Sequence, residues 1–170
     1  MKPDLALRPI RPDTLEHVLA IQAACYPAGY LESRDVFARK LNLSPDSHWL
    51  AWRGSQPLGY FFTHAWRGET PPPLAAELAV LPAAPDCHFL HDLALLPSAR
   101  GTGVAQALIG AALAWGKRTG LHRTLLVAVQ GSAPFWSRHG FAPLGPADGY
   151  GDGALRMIRH DGVLPAGRIR

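Results

Sequence analysis

The sequence predicts an α/β (α+β) fold, in which a mixed central sheet of about six to seven strands is flanked by about four helices. Three observations predict it. Segments with the apolar pattern of strands alternate with segments whose apolar residues recur at helical spacing. One strand-like run, ending at Leu96, passes through a short glycine turn directly into a long alanine- and leucine-rich helix. The 170 residues contain no internal repeat and suffice for one domain with a substantial core.

The composition excludes several classes of protein. Apolar residues make up 48% and charged residues 18% of the chain, which is typical of water-soluble globular proteins. No run approaches the roughly 20 apolar residues of a membrane helix, and the N-terminus lacks the apolar stretch of a signal peptide, so we expect a cytoplasmic protein that binds no membrane. The net charge of +4 comes from basic residues scattered along the chain. Such a surplus suits an anionic cofactor, whereas nucleic-acid binding usually needs a concentrated basic stripe.

The first third of the chain reads as one strand followed by two helices. Leu5–Ile10 has the pattern of a short strand. Thr14–Tyr26 repeats its apolar residues at helical spacing, and Asp13 with Glu16 three residues later makes a capping-box pair at its start. A second helix is expected over Ser33–Leu43, with Ser33 as its cap.

The middle of the chain predicts a hairpin and the strand before the glycine turn. His48–Arg53 and Leu58–Ala65 are rich in aromatic residues and are separated by a short turn. Arg67–Asp86 is rich in proline yet too apolar for a flexible linker, with a helical piece expected over Leu74–Val80. His88–Leu96 follows as a strand.

The last third alternates helices and strands again. Val104–Thr119 has a helical apolar stripe and ends before a glycine. Arg123–Val129 reads as a strand, and Ser132–His139 as a short helix with a proline in its first turn. Phe141–Leu144 and Ala154–Arg159 are expected to be the closing strands.

The glycine turn Arg100-Gly101-Thr102-Gly103-Val104-Ala105 has the features of an anion-binding site. Its glycines have no Cβ, so the backbone can approach a bound group closely. The first N–H groups of the following helix lack intrahelical partners and carry the positive end of its dipole, which favours a phosphate. Arg100 adds a charge with forked donors. A dinucleotide fingerprint would need glycine in place of Gln106, and Gly116-Lys117 lacks the context of a P-loop.

Two motifs resemble the GCN5-related N-acetyltransferases, the GNAT superfamily. The turn fits the family's Gln/Arg-x-x-Gly-x-Gly/Ala pattern, and Phe135-Trp136-Ser137-Arg138-His139-Gly140-Phe141 resembles its Phe-Tyr-x-x-x-Gly-Phe signature. The order of the predicted elements, β-α-α-β-β-β-α-β-α-β-β, is also that of the family. The resemblance implies a single N-acetyltransferase domain over residues 1–170, with its motif core at about 88–141. The implied activity is transfer of an acetyl group from acetyl-CoA, by direct attack and without a metal, to a primary amine of a small molecule or peptide.

The resemblance also implies where acetyl-CoA binds. In the family the strand before the turn splays away from its neighbour, commonly at a β-bulge, and the pantetheine arm pairs with the exposed backbone. Carried over, the backbone of Leu93 and Leu95 would hold this arm, and the N–H of Leu95 would stabilise the oxyanion of the tetrahedral intermediate. The complete set of implied cofactor-binding residues is Leu93, Leu95, Arg100, Gly101, Thr102, Gly103, Val104, Ala105, Gln106 and Phe135.

His91 is the candidate general base. An attacking amine must lose a proton, and histidine titrates near neutral pH. Relatives such as the arylalkylamine and polyamine acetyltransferases place His or Glu at this position. The other interpretation of His91 is a partly buried histidine bonded to a backbone carbonyl. Strand alternation predicts that Asp92 points to the opposite face, where it anchors structure or orients a neighbour.

Trp136 departs from the family, which usually has a tyrosine whose hydroxyl can protonate the leaving thiolate. An indole N–H can donate a hydrogen bond but is no acid at ordinary pH. Tyr60 and Tyr150 are candidate substitutes. The departure favours an alternative function, a non-catalytic acyl-CoA-binding module of the same fold. A third interpretation, a nucleotide- or nucleic-acid-binding domain, is disfavoured by the failed fingerprints.

The cysteines and neighbouring histidines suggest neither a metal site nor a covalent intermediate. On a strand that rises roughly 3.3 Å per residue, Cys87 and His91 stand about 13 Å apart, and His88 faces away from His91. We therefore expect no metal. We also expect neither Cys25 nor Cys87 to lie near the thioester.

The acceptor is expected to bind between the first two helices, where this fold tends to set its specificity. Tyr26, Tyr30 and Glu32 could line a pocket for a cationic amine with an apolar body through cation–π and charge contacts. The same residues could also be ordinary solvent-facing loop residues. A homodimer is compatible with the resemblance, because relatives often dimerise.

Overall fold

The computed structural model, which describes residues 1, 3–74 and 77–162, contains one mixed seven-stranded sheet with helices on both faces. The strands are β1 Leu5–Pro9, β2 His48–Arg53, β3 Gln56–Trp66, β4 Cys87–Leu95, β5 Arg123–Ala128, β6 Ala142–Pro146 and β7 Leu155–His160. The α-helices are α1 Leu15–Cys25, α2 Arg34–Leu43, α3 Val104–Arg118 and α4 Ala133–Ser137. Short 3₁₀ turns cover Pro12–Thr14, Ala28–Tyr30 and Pro97–Ala99. The predicted fold class is confirmed.

The sheet has the strand order β1-β2-β3-β4-β5-β7-β6. Neighbouring strands run antiparallel except β4 and β5, which are parallel and joined through α3. Successive side chains of the central strands point to opposite faces of the sheet, and they pack into two separate cores. Phe61 packs with α3 on one face, while Tyr60 and Phe62 pack with α1 and α2 on the other. The central strands are therefore covered on both sides.

A β-bulge at His91 changes the direction of the residues that follow it. Phe62 of β3 pairs with Asp92, whereas the next residue, Thr63, pairs with Leu90, so His91 is the extra residue of β4. The prediction that Asp92 points away from His91 is wrong. The bulge interrupts the alternation, and both side chains turn to the face covered by α1 and α2, since His91 bonds to Glu32 and Asp92 to Tyr60.

Beyond the bulge, β4 and β5 diverge. They pair only from His88–Leu90 to Thr124–Leu126, although β4 continues to Leu95 and β5 to Ala128. The unpaired ends leave a gap in the sheet, as the family resemblance implies. The gap lies directly before the glycine turn and α3.

Several predicted element ends are corrected by the structure. The Asp13–Glu16 capping box does not form, because a 3₁₀ turn precedes α1 and the N–H of Arg11 donates instead to the hydroxyl of Thr14. The cap at Ser33 is confirmed, since its hydroxyl accepts from the N–H of Val36 at 3.3 Å. Of the expected helix over Leu74–Val80, the described residues 74 and 77–80 are not helical, and residues 75–76 lie outside the description.

Candidate active site

The glycine turn presents free backbone donors at the start of α3. Gly101 and Gly103 have φ of +73° and +86°, a region that side chains with a Cβ rarely adopt. A Cβ at either position would point into open space, so backbone conformation rather than crowding favours glycine there. Gly103 caps α3, and Ala107 donates the first intrahelical hydrogen bond to its carbonyl at 3.1 Å. The N–H groups before Ala107 therefore remain available to a bound anion.

The backbone of Leu93 and Leu95 faces the gap between β4 and β5. Leu96 donates its N–H to Leu58 of β3 at 2.8 Å. In an antiparallel pair, every second residue turns its N–H and C=O to the partner, so Leu93 and Leu95 turn theirs the other way. No β5 residue pairs with them there. Their side chains pack against the core on the α3 side.

A cleft of about 630 Å³ occupies this gap and reaches the glycine turn. Of the cofactor-binding residues that the sequence predicts, those lining it are Leu93, Leu95, Arg100, Gly101, Ala105, Gln106 and Phe135. Thr102, Gly103 and Val104 do not line it. The side chain of Val104 is buried in the core, so only its backbone N–H could reach a ligand.

The ring of His91 is hydrogen-bonded to a buried ion pair between Glu32 and Lys40. Its Nε2 lies 2.7 Å from Oε1 of Glu32, whose Oε2 lies 2.6 Å from Nζ of Lys40 on α2. None of the three side chains is more than 3% exposed. Burial alone would raise the pKa of Glu32, but the ring of His91 and the ammonium of Lys40 together lower it below its usual value. Burial lowers the pKa of Lys40, and Glu32 opposes this shift.

This arrangement fixes which nitrogen of His91 is basic. A carboxylate only accepts hydrogen bonds, so Nε2 must carry the proton that bonds to Glu32. In the neutral ring Nδ1 then has the free lone pair. Nδ1 is buried and has no hydrogen-bond partner in the described chain. The residue His91 lines the cleft, although the Nδ1 atom itself has almost no exposed surface.

Asp92 and two tyrosines form a second polar group beside His91. The hydroxyl of Tyr60 donates to Oδ2 of Asp92 at 2.6 Å, and the hydroxyl of Tyr26 donates to the carbonyl of Leu93 at 2.8 Å. Burial raises the pKa of Asp92, although the hydrogen bond from Tyr60 opposes the shift. Burial, and then the nearby charge of Asp92, raise the pKa of Tyr26 well above its usual value. Both tyrosines therefore stay protonated at neutral pH.

Cys25, at the end of α1, also lies at the cleft. Its thiol donates to the carbonyl of Leu95 at 3.0 Å, and it lines the cleft together with Arg100. The prediction that neither cysteine lies near the thioester is therefore wrong for Cys25, because the end of α1 packs onto β4 and brings Cys25 to Leu95, the residue expected at the thioester. Burial raises the pKa of this thiol, and the charge of Arg100 opposes the shift. Cys87 instead packs in a separate apolar cluster with Phe89.

The two tyrosines proposed as substitutes for the missing acid already donate their hydroxyl protons to other groups of the chain. Trp136 lines the cleft and stacks on Phe61, with ring centroids 6.4 Å apart. Tyr60 is fully buried against Asp92, and the hydroxyl of Tyr150 donates to the carbonyl of Pro72. The tyrosine that lines the cleft is Tyr26.

The three residues predicted to meet the acceptor surround a smaller cavity next to the cleft. Tyr26, Tyr30 and Glu32 all line it. The carboxylate of Glu32 already bonds to Lys40 and His91, so it is not free to pair with a cation as the sequence suggested. Asp92 supplies a carboxylate at the same cavity.

Two further properties concern metals and membranes. Among the described residues, no three His, Cys, Asp or Glu side chains are grouped closely enough to hold a metal ion. The described helices include none with the length and apolar character needed to cross a bilayer.

Comparisons with known proteins agree on one family and one fold. The model of the acetyltransferase (GNAT) family matches residues 15–141. No curated protein matches the sequence. A solved structure described as the GphF GNAT-like decarboxylase in complex with isobutyryl-CoA is 21% identical, with a TM-score of 0.78 over 91% of this chain and 98% of that chain.

Two other solved structures show the same fold at lower identity. The loading GNATL domain of CurA from Lyngbya majuscula is 12% identical, with a TM-score of 0.79 over 93% of this chain and 98% of that chain. The ribosomal-protein-S18-alanine N-acetyltransferase from Escherichia coli is 12% identical, with a TM-score of 0.70 over 98% and 100% of the two chains. At such identities the likeness establishes the fold and leaves the reaction open.

Proposed function

Because the chain belongs to the acetyltransferase (GNAT) family and has its acyl-CoA-binding fold, we propose that it transfers an acetyl group from acetyl-CoA to a primary amine. The observation that carries the proposal is the gap between β4 and β5. It runs from the free N–H groups of α3 to the ring of His91, which has an unpartnered nitrogen.

The chain's backbone binds acetyl-CoA in this proposal. The N–H groups at the start of α3 bind the pyrophosphate, helped by the charge of Arg100. Leu93 and Leu95 offer their backbone N–H groups to the pantetheine arm, as a neighbouring strand would. Their carbonyls already accept hydrogen bonds from Tyr26 and Cys25. The N–H of Leu95 stabilises the negative charge that develops on the thioester oxygen.

His91 removes the proton of the attacking amine. Nδ1 accepts this proton while Nε2 stays bonded to Glu32, whose charge stabilises the imidazolium that forms. The amine nitrogen then bonds to the acetyl carbon, and the carbon–sulfur bond breaks. Glu32 and Lys40 act as positioning residues, because they touch the base and not the reacting atoms.

The leaving thiolate does not need a proton from the chain. The hydroxyl of Tyr26, which lines the cleft, already donates to the carbonyl of Leu93, and its raised pKa makes it a weak acid. A thiol is itself fairly acidic, with a pKa of about 8.5, so the thiolate can leave and take its proton from water. The reaction therefore does not need the tyrosine that Trp136 replaces.

A non-catalytic acyl-CoA-binding module is the second candidate function. Trp136 favours it, because the indole fills the position of the family's usual acid and packs into the core. Such a module would bind acetyl-CoA without releasing its thiol in the presence of amines.

Release of free thiol from acetyl-CoA separates the two candidates. The protein is incubated with acetyl-CoA and a panel of primary amines, and acetyl-CoA binding is measured by calorimetry. We expect turnover for the wild type. His91→Ala should lower kcat/KM about 10²- to 10⁴-fold and leave the Kd of acetyl-CoA unchanged. His122→Ala, an exposed histidine outside the cleft, is the matched control.

Other outcomes would replace the proposal. Binding without turnover on the whole panel would favour the module. Full activity of His91→Ala would remove the assigned base. A parallel incubation with malonyl-CoA and no amine tests the chemistry named for one similar structure, and its conversion to acetyl-CoA would make the protein a decarboxylase.

A further inference from the structure

Three segments of the chain line one side of the smaller cavity beside His91. They are the 3₁₀ turn Ala28–Tyr30, residues 71–74 of the proline-rich segment, and the loop between β6 and β7. The hydroxyl of Tyr30 donates to the carbonyl of Tyr150 at 3.1 Å, and the hydroxyl of Tyr150 donates to the carbonyl of Pro72. These hydrogen bonds connect all three segments at the wall of the cavity.

The contact between Tyr30 and the β6–β7 loop depends on a glycine. Gly151 has φ of +93°, and a Cβ there would overlap the hydroxyl of Tyr30. Because residue 151 has no Cβ, the turn Ala28–Tyr30 and the β6–β7 loop can approach each other. We call the hydrogen bond from the hydroxyl of Tyr30 to the carbonyl of Tyr150 the Tyr30–Tyr150 bridge.

The cavity is small and adjoins the cleft. It measures about 40 Å³, space for a few atoms rather than for a polypeptide. Tyr26, His91 and Asp92 line both the cavity and the cleft, so a group in the cavity would face the proposed base and the thioester.

The chemistry of the cavity wall selects for one kind of amine. Three tyrosines and three aliphatic side chains make the wall mostly apolar, and the complete lining is Tyr26, Tyr30, Glu32, Leu74, His91, Asp92, Val127, Val129 and Tyr150. None of these nine described residues is a lysine or an arginine. A carboxylate on the acceptor would therefore find no lysine or arginine partner and would face Asp92, whereas a lone ammonium would be attracted by Asp92 and the tyrosine rings.

We propose that the acceptor is a small alkylamine without a carboxylate, and that the Tyr30–Tyr150 bridge keeps peptide amines out. This inference rests on the proposed acetyl transfer and names its substrate class. Tyr30 and Gly151 are specificity residues in this account, because they hold the bridge at the cavity wall without contacting the acetyl group.

Ethylamine, alanine and trialanine form a matched set of acceptors. Alanine differs from ethylamine by its carboxylate, and trialanine adds a peptide chain. We expect kcat/KM of the wild type for ethylamine to exceed that for alanine about 100-fold, because the carboxylate would be buried without a partner. Trialanine should be as poor an acceptor as alanine.

Opening the bridge should raise the activity toward the peptide. Tyr30→Ala and Gly151→Ala should each raise kcat/KM for trialanine about tenfold relative to ethylamine, without change in the Kd of acetyl-CoA. Leu31→Ala, an exposed neighbour that does not line the cavity, is the control and should leave this ratio unchanged.

The result distinguishes this inference from the proposed function. Transfer to trialanine or alanine by the wild type at the rate for ethylamine would overturn the inference and leave acetyl transfer standing. An unchanged acceptor ratio in both bridge variants would also overturn it. Absence of transfer to every amine, with acetyl-CoA still bound, would overturn the proposed function and this inference together.

Discussion

At the scale of single residues, the buried pair Glu32–Lys40 carries both stability and the orientation of His91. Two opposite charges taken out of water gain from each other only while both are present. Removing one leaves the other buried and unpaired. The pair also has a positional effect, because the carboxylate of Glu32 fixes which nitrogen of His91 is basic.

Breaking this pair should destabilise the protein more than removing it. Glu32→Gln and Lys40→Met should each lower the free energy of unfolding by about 3–5 kcal/mol, whereas the double variant should lose less than the sum of the two. Urea denaturation at pH 7 measures all four proteins of the cycle. Strictly additive losses would mean that the two charges do not interact.

At the scale of elements, the role of the glycine turn in binding can be tested by comparing two glycines, one at the start of α3 and one in its interior. Gly103 caps α3 at positive φ, whereas Gly110 is exposed on its surface with ordinary helical geometry. Gly103→Ala should lower the stability by about 1–2 kcal/mol and weaken the binding of acetyl-CoA, because the turn must change conformation. Gly110→Ala should raise the stability by about 0.5–1 kcal/mol and leave binding unchanged.

Calorimetry with acetyl-CoA and thermal unfolding of both variants check this prediction. Wild-type affinity in Gly103→Ala would contradict the placement of the pyrophosphate at the start of α3. Loss of affinity in Gly110→Ala would show that any change in this helix perturbs the cleft.

The turn and the helix could be predicted from sequence, because their chemistry is local. Glycines, an arginine and a helical apolar pattern follow each other within one stretch of chain. The bulge at His91 could not be predicted in the same way. An extra residue in β4 is defined only by its register with Phe62 and Thr63 of β3, and this register placed Asp92 on the face opposite to the one predicted.

The roles of Glu32 and Cys25 also depend on contacts that the sequence does not display. Glu32 meets His91 across 59 positions of the chain, and Cys25 meets Leu95 across 70. Tyr26 and Tyr30 were predicted near the acceptor because they flank the same connection, but their hydrogen bonds reach β4 and the β6–β7 loop. Local pattern identified these residues, and tertiary packing determined what they do.

At the scale of the whole molecule, buried neutral histidines link stability to pH. Burial lowers the pKa of both His48 and His88 to about 3. Nδ1 of His48 accepts from the N–H of Thr63, whereas neither ring nitrogen of His88 has a partner in the described chain. Because the folded-state pKa lies below the unfolded value of about 6.5, the unfolded chain binds more protons as the pH falls.

The free energy of unfolding should therefore fall with acidification from neutral pH. Each of the two histidines should contribute a loss of about 2 kcal/mol between pH 7 and pH 5. His88→Leu should remove its share of this dependence, and it should not destabilise at pH 7 because no hydrogen bond is lost. Urea denaturation at both pH values measures the slope, and an identical slope in the variant would contradict the burial of a neutral ring.

The short pairing of β4 with β5 has a consequence for the mechanics of the molecule. Three residue pairs form the seam between two antiparallel blocks, one of four strands and one of three. Beyond these three pairs the described strands β4 and β5 share no hydrogen bonds. A ligand that binds both strands in the gap would therefore connect the two blocks. The sheet should therefore be more rigid with acetyl-CoA bound in the gap, if the proposed binding mode holds, than in the free protein.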